Sequence, residues 1–112
     1  MLVCEAVHAL SQRATSATVN AIAQEVGIDQ SGASRLIKSA TAAGYLVMAA
    51  SATDGRRREA SLTSAGRSML DQAHRWQEDI FLRLTEDWSD QKRHDFQQAM
   101  TDLIERSYAM DE

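Results

Sequence analysis

Residues 18–44 read TVNAIAQEVGIDQSGASRLIKSATAAG and carry the clearest structural signal of the chain. Thr18 is a candidate N-cap for a short helix that ends at Gly27, and Asp29 is a candidate N-cap for a helix that ends at Gly44. Apolar residues recur at helical spacing in both segments: Ile22, Ala23 and Val26, then Ala33, Leu36, Ile37 and Ala40. Two such helices joined by a short turn with glycine predict a helix-turn-helix.

The neighbouring segments extend this motif. Residues 2–13 carry apolar side chains at helical spacing and predict a preceding amphipathic helix. The apolar run at residues 45–50 predicts a strand, Asp54-Gly55 predicts a turn, and residues 59–62 predict the returning strand. A hairpin directly after a helix-turn-helix, with three arginines near its tip, is the layout of a winged helix.

Two long helices are predicted beyond the hairpin. Thr63 caps the first, and its apolar seam consists of Ala65, Met69, Ala73, Trp76, Ile80 and Leu84. Ser89 caps the second, and its inward residues are Phe96, Ala99, Met100, Leu103, Ile104 and Tyr108. Because these helices hold more apolar surface than a small winged domain can cover, we expect a partner subunit to cover it.

Composition excludes several classes of protein. The 112 residues include no proline, which favours long helices, and the predicted fold is mainly α with a small β-hairpin. The single cysteine, Cys4, excludes an intramolecular disulfide framework and a zinc site with several thiolates. No apolar run approaches the ~20 residues of a membrane span, and no charged-then-apolar leader opens the chain. A soluble, cytoplasmic domain is therefore expected.

The net charge of −4 is distributed unevenly along the chain. Residues 1–50 are neutral in sum, whereas residues 51–67 carry four arginines against two acids and residues 68–112 carry five bases against eleven acids. Contacts to phosphates need local positive charge. A basic wing and an acidic C-terminal region are thus compatible with DNA that approaches from one side only.

Taken together and in this order, four segments resemble the multiple antibiotic resistance regulator (MarR) family. They are Gly27 to Ile37, Gly44-Tyr45-Leu46, Asp54-Gly55-Arg56 and Leu62-Thr63-Ser64-Ala65-Gly66. The match extends from about Val19 to Leu84, and its most specific element is the Asp-x-Arg wing at this spacing before Leu-Thr-x-x-Gly. The resemblance implies a homodimeric bacterial transcription regulator, usually a repressor, that is released from DNA by a small aromatic ligand or an oxidant.

The resemblance also implies that two parts of the chain have different functions. Residues 1–63 would form the winged helix-turn-helix DNA-binding domain, with the recognition helix at residues 29–43 and the wing at residues 46–62. Residues 64–112 would form the helical dimerisation region. Family members usually begin with a further helix that interlocks with the C-terminal helices of the partner subunit, whereas Met1 here corresponds roughly to the start of the family's second helix. Whether the protein is naturally short, is a trimmed product or has a misassigned start, we expect the dimer interface to depend more strongly on residues 64–112. The expected operator is an imperfect palindrome with its half-sites about one DNA turn apart.

The candidate DNA-binding residues lie on the second helix, the third helix and the wing. They are Thr18, Gln30, Ser31, Ser34, Arg35, Lys38, Asp54, Arg56, Arg57 and Arg58. In the family the wing arginine, here Arg56, reaches the minor groove, where a guanidinium suits the concentrated negative potential. Asp54 is placed to hold that side chain, and the alternative is a solvated surface ion pair. Arg57 and Arg58 are expected at phosphates, although strand alternation points one of them back to the protein.

On the third helix, Gln30, Ser31 and Ser34 face outward near the N-terminus, where base edges are read. Arg35 and Lys38 are expected at phosphates or guanine, and Thr18 at the DNA backbone. The alternatives are a plain solvated helix face and, for Ser31, a role in the helix cap.

An effector pocket is expected between the wing domain and the dimerisation helices, lined by Tyr45, Met48 and Trp76, although such residues are more often core. Cys4 is either a core cysteine or a redox-sensing thiol, and the core assignment is favoured. The three histidines lack the spacing of paired metal ligands, so no metal or other cofactor is predicted.

Two other functions compete with DNA binding. A winged-helix module for protein–protein interaction is the main alternative, but it would favour a neutral wing and an apolar recognition face. An enzyme is disfavoured, because the sequence holds no nucleophile–histidine–acid set, no phosphate loop and no metal-ligand spacing.

Overall fold

The computed structural model describes residues 1–51, 55 and 57–110. Its elements in chain order are α1 (Leu2–Gln12), α2 (Val19–Val26), α3 (Gln30–Ala42), β1 (Leu46–Ala50), β2 (Arg58–Leu62), α4 (Ser64–Leu84) and α5 (Asp90–Met110). β1 and β2 form an antiparallel hairpin in which Met48 lies opposite Ala60. The mainly α fold with a small β-hairpin is confirmed. None of the described helices combines the length and the apolar character that crossing a membrane requires.

The chain divides into two compact units, residues 1–75 and 76–112. The division falls inside α4, so the first three turns of that helix belong to the winged-helix unit. The functional boundary proposed from the sequence, at residues 63 and 64, therefore lies upstream of the structural one and stays a prediction about function.

Local side-chain chemistry sets the ends of the helix-turn-helix as predicted. The Thr18 hydroxyl oxygen accepts a hydrogen bond of 3.2 Å from the Ala21 N–H at the start of α2. The Asp29 carboxylate accepts one of 2.7 Å from the Gly32 N–H at the start of α3. Gly27 ends α2 at a φ of +83°, a left-handed conformation that glycine adopts without steric cost.

The core of the first unit is built on α1. Its buried face consists of Val3, Cys4, Ala6, Val7 and Leu10, and it packs in one cluster with residues of α2, α3, the hairpin and α4. Ile22 and Cys4 are fully buried there, each with 0% of its surface exposed. β2 is attached to the segment before α2 by a 2.9 Å hydrogen bond from the Ala60 N–H to the Ala17 carbonyl.

The Leu-Thr-x-x-Gly motif fixes the start of α4 against the start of β1. Thr63 caps α4 by accepting a 3.0 Å hydrogen bond from the Gly66 N–H, and its own hydroxyl donates to the Gly44 carbonyl. The Thr63 N–H donates to the Tyr45 carbonyl at 3.0 Å. A Cβ on Gly66 would clash with that same Tyr45 carbonyl, so the helix approaches this closely only because residue 66 is glycine.

Two details of the predicted apolar faces differ in the structure. The buried residues of α4 are Gly66 and Leu70, which are not in the predicted seam, whereas Ala65 is exposed. On α3, Ala33, Ile37 and Ala40 are buried as predicted, but Leu36 is 38% exposed. The predicted stripe of α3 is therefore too broad and that of α4 is displaced to one side, because helical periodicity does not show which edge of an apolar stripe meets a neighbouring element.

The second unit is held by an aromatic cluster between the end of α4 and α5. Phe81 stacks on Phe96 with ring centroids 5.9 Å apart, and Trp88 meets both rings edge-on. Arg93 donates to the Thr85 carbonyl at 2.6 Å and to its hydroxyl at 2.9 Å. No residue of α5 is buried within its described range.

Candidate nucleic-acid interface

The outward face of α3 carries the polar residues predicted for base and phosphate contacts. Gln30 and Ser31 in the first turn are exposed, as are Arg35 and Lys38 further along, and Ser34 is half-buried. Because Ala33, Ile37 and Ala40 occupy the core side of this helix, the remaining positions must project away from the core. These five residues therefore share a surface.

The two cations of this face stand without counter-ions in the described part of the chain. Neither Arg35 nor Lys38 forms an ion pair with a described residue, in contrast to Arg13, which pairs with Glu25 at 2.9 Å. The nearest acid in sequence, Asp29, has its carboxylate engaged in the α3 cap. The surface is thus able to accept an anionic partner without first breaking a salt bridge.

On the wing, two of the predicted arginines have different surroundings in the structure. Arg58 is exposed, and its guanidinium donates to the Met48 carbonyl at 3.4 Å, so this side chain leans back over β1. Arg57 is exposed and has no ion-pair partner among the described residues. Asp54 and Arg56, predicted for the turn and the minor groove, lie outside the described residues.

Thr18, predicted to contact the DNA backbone, is half-buried at the start of α2. Its hydroxyl oxygen is engaged as an acceptor in the helix cap, which leaves the O–H available as a donor. The structure accounts for this residue through the cap, and a DNA contact stays a prediction.

A cavity of about 440 Å³ lies within the first unit, and the sequence did not predict it. It is bounded by the C-terminal half of α1, by β2 and by the first turns of α4, and its polar lining includes His8, Glu59, Arg67, Asp71 and His74. The helical spacing of Arg67, Asp71 and His74 along one flank of α4 indicates one wall of this cavity in the sequence, but not the other two. The volume suits a small molecule.

Two histidines mark one wall of this cavity. The rings of His8 and His74 lie 5.9 Å apart, and His74 Nε2 lies 2.8 Å from a carboxylate oxygen of Glu5. Glu5 therefore fixes the orientation of the His74 ring. No group of three or more metal-ligating side chains is present in the described ranges.

The residues predicted to line an effector pocket are not brought to this cavity. Tyr45 and Met48 are half-buried and pack against the core of the first unit. Trp76 belongs to the second unit and is 64% exposed. None of the three is among the residues that line the cavity, and their role in ligand binding stays a prediction.

Cys4 lies in the core, with 0% of its surface exposed. Burial raises the pKa of the Cys4 thiol; the N-terminal ammonium opposes this effect and Glu5 adds to it. Because the thiolate is the reactive form, a buried thiol with a raised pKa reacts slowly with oxidants. The structure therefore favours the core assignment over a redox sensor.

Comparison with known proteins agrees with this geometry. The model of the MarR family matches residues 4–57, from α1 to the wing, and the resemblance predicted from the sequence is confirmed. A search of curated proteins finds no match. The MarR family consists of transcriptional regulators, and one of the similar solved structures carries that description. This agrees with the prediction that the protein is not an enzyme.

Solved structures share the fold at low sequence identity. RV1404 from Mycobacterium tuberculosis is 20% identical with a TM-score of 0.76, and the match covers 96% of this chain and 72% of that one. A MarR family transcriptional regulator from Silicibacter pomeroyi DSS is 19% identical, with a TM-score of 0.69 and coverage of 94% and 68%. S. aureus MepR bound to ethidium bromide is 17% identical, with a TM-score of 0.69 and coverage of 93% and 73%.

Proposed function

Because the chain carries the winged helix of the MarR family of transcriptional regulators, we propose that it is a homodimeric repressor of bacterial transcription. It acts in the cytoplasm by binding a pseudo-palindromic operator in double-stranded DNA. The observation that carries this proposal is the exposed face of α3, on which Arg35 and Lys38 have no ion-pair partner among the described residues. Phosphates or guanine edges are the groups in DNA that such cations bind.

The proposed contacts follow from the positions of the side chains. α3 enters the major groove, where Gln30, Ser31 and Ser34 meet base edges and Arg35 and Lys38 meet phosphates or guanine. The wing lies along the adjacent minor groove, with Arg57 at phosphates and Arg56 as the residue that enters the groove. A two-fold dimer presents two α3 helices ~34–36 Å apart, the spacing of successive major grooves on one side of the duplex.

Exposed apolar side chains of the second unit support a dimer. Leu103 is 64% exposed, Ile104 is 46% exposed and Met100 is 42% exposed, all on α5. Large apolar side chains grouped on one element are typical of surfaces that become buried on association. We therefore place the dimer interface on the C-terminal helices, within residues 64–112.

The cavity of the first unit supports release by a small ligand. At about 440 Å³ it falls in the size range of small-molecule sites, and the wing strand β2 forms one of its walls. An aromatic acid bound there, with its carboxylate at Arg67, would shift β2 and with it the wing. Binding of ethidium by MepR is a property of that protein, but it makes a flat aromatic cation the second probe to use here. The burial of Cys4 makes an oxidant the less favoured trigger.

The test of DNA binding is fluorescence anisotropy with a duplex from the region upstream of the protein's own gene. A shuffled duplex of equal length is the control, titrations are run at two salt concentrations, and the mass of the complex is measured alongside. We expect tight binding to the first duplex, far weaker binding to the second, and two chains per duplex. Equal, salt-sensitive binding to both would reduce the interaction to electrostatics. No binding to either would favour the protein–protein interaction module.

Variants assign the individual contacts. Gln30→Ala should relax the base preference more than it lowers non-specific binding, because a base-edge contact carries sequence information. Gln72→Ala, an exposed glutamine on α4, is the matched control and should change neither. Lys38→Ala should weaken binding to all duplexes and reduce the salt slope by about two, because the proposed dimer loses one phosphate contact in each subunit. Arg56→Ala should weaken operator binding strongly without unfolding the protein.

The effector proposal is tested on the DNA complex with benzoate and, separately, with ethidium as probes. We expect one of them to lower the affinity for DNA by roughly 5- to 150-fold, the range that coupled sites typically reach. Arg67→Ala should remove the response to benzoate, whereas Arg83→Ala, an exposed arginine of the second unit, should retain it. A response that survives Arg67→Ala would move the ligand away from this cavity.

A further inference from the structure

An exposed apolar patch lies beside the polar face of α3. Ile28, in the turn before the helix, is 37% exposed, and Leu36, two turns further on, is 38% exposed. Both line a shallow groove whose other residues are Asp29, Gly32, Arg35 and Ser39. The groove is therefore built entirely from α3 and the turn that precedes it.

The floor of this groove depends on a glycine. An added Cβ at Gly32 would lie 3.5 Å from the Ile28 side chain and only 2.7 Å from the Asp29 carboxylate. With hydrogen at this position the floor stays open beside Ile28. The groove is then apolar along its base, and the exposed Arg35 stands at its rim.

Arg35 belongs both to this groove and to the polar face that carries Gln30, Ser31, Ser34 and Lys38. The apolar patch is thus continuous with the surface proposed to meet DNA. A ligand that fits must offer an apolar group directly next to a negative charge. In the major groove of duplex DNA, the C5 methyl of thymine is the apolar group at the base edges, and phosphates line the groove on both sides.

We propose that Leu36, together with Ile28, contacts the C5 methyl of a thymine in each operator half-site, while Arg35 binds the adjacent backbone. This inference rests on the proposed function, because it names a specificity-determining contact of the same DNA-binding surface. Leu36 thereby gives the protein a preference for thymine at one position of each half-site. The patch is left uncovered by the core because DNA covers it in the complex.

The experiment begins with a duplex selected by the full-length protein from a random library. Each thymine of one half-site is then replaced singly by deoxyuridine, which removes the C5 methyl and changes nothing else at the base edge. Anisotropy titrations compare the two duplexes for each protein variant. For the unaltered protein we expect one replacement to lower the affinity about fourfold, the factor that corresponds to one buried methyl group.

Leu36→Ala should bind the thymine duplex more weakly and should no longer distinguish it from the deoxyuridine duplex. Leu36→Met keeps an apolar side chain of similar volume and should retain the discrimination, which separates the contact from a general effect on folding. Leu2→Ala removes an exposed leucine from α1 and should leave the discrimination unchanged. Circular dichroism confirms that each variant is folded.

The outcomes separate this inference from the function on which it rests. A deoxyuridine penalty that persists in Leu36→Ala, or no penalty at any thymine, would overturn the methyl contact while leaving operator binding intact. Unchanged DNA affinity of Leu36→Ala would likewise show that the groove serves another partner, such as a protein. If no duplex is bound better than its shuffled control, the proposed function is overturned and the contact with it.

Discussion

The two units of this chain bury their apolar residues to very different extents. In residues 1–75, α1 places five buried side chains in a core shared with five other elements. In residues 76–112, no described residue of α5 is buried, and Leu103 is 64% exposed. The winged helix therefore completes its own core, whereas α5 leaves large apolar side chains exposed, and this is the surface that we propose a partner subunit covers.

The sharpest test of this contrast is a pair of truncations. Ile22→Ala removes a side chain that is 0% exposed, and we expect it to lower the free energy of unfolding by about 2–5 kcal/mol. The loss should not depend on protein concentration, because the cavity forms inside one chain. Urea titrations followed by circular dichroism measure it.

Leu103→Ala is the counterpart in the second unit. Its effect on unfolding should be small at low protein concentration and should grow with concentration, since Leu103 would be covered only in the proposed dimer. If Leu103→Ala lowered the free energy of unfolding as much as Ile22→Ala at every protein concentration, the contrast between the two units would be contradicted.

A second test concerns the junction that positions α4. In an ordinary helix, replacing glycine by alanine stabilises the fold by about 1 kcal/mol. At Gly66 the added Cβ would clash with the Tyr45 carbonyl, so we expect Gly66→Ala to lower the free energy of unfolding by about 1–3 kcal/mol instead. Thermal and urea denaturation report the change.

Gly32→Ala is the matched control, because its Cβ would meet the movable end of the Asp29 side chain rather than backbone. The gain in helix propensity should then offset the disturbed cap and leave stability nearly unchanged. If both substitutions had the same effect, the close approach at Gly66 would have no energetic importance.

The sequence predicted most of what local chemistry decides. The caps at Thr18, Asp29, Thr63 and Ser89 are all present, because a short polar side chain satisfies the free N–H groups of the helix that follows it. Such contacts span three residues and are visible in the sequence.

Contacts between distant segments were harder to predict. Leu70 on α4 is buried and Leu36 on α3 is exposed, although both are leucines on amphipathic helices. Helical periodicity defines the centre of an apolar stripe, whereas its edges are buried or exposed according to the neighbouring element. The cavity combines residues 7–17, 59–62 and 67–74, and no local pattern joins these segments.

A third test addresses the dimer through charge. Leu103→Glu places a carboxylate in the proposed interface, and we expect it to weaken association at least tenfold, about 1.4 kcal/mol. Sedimentation equilibrium at micromolar concentrations measures the change. Gln97→Glu introduces the same charge on the same exposed helix and should leave association unaltered. An undiminished dimer in Leu103→Glu would place the interface elsewhere in the chain.

The smallest expected effect concerns Cys4, whose ionisation and labelling report whether water reaches the core of the first unit. Burial raises the pKa of the Cys4 thiol, so the folded state retains this proton at a pH where the unfolded state has lost it. The stabilisation is therefore complete at neutral pH and is lost as the pH rises above about 8, where free thiols begin to ionise. Relative to Cys4→Ala, the free energy of unfolding should decline over that range by no more than about 1.4 kcal/mol per pH unit.

Labelling with iodoacetamide tests the same burial, because Cys4 is the only cysteine that it can label. The reagent should react far more slowly with the native protein than with the protein in urea. Native labelling at the rate of a free thiol would show that water reaches the core around α1.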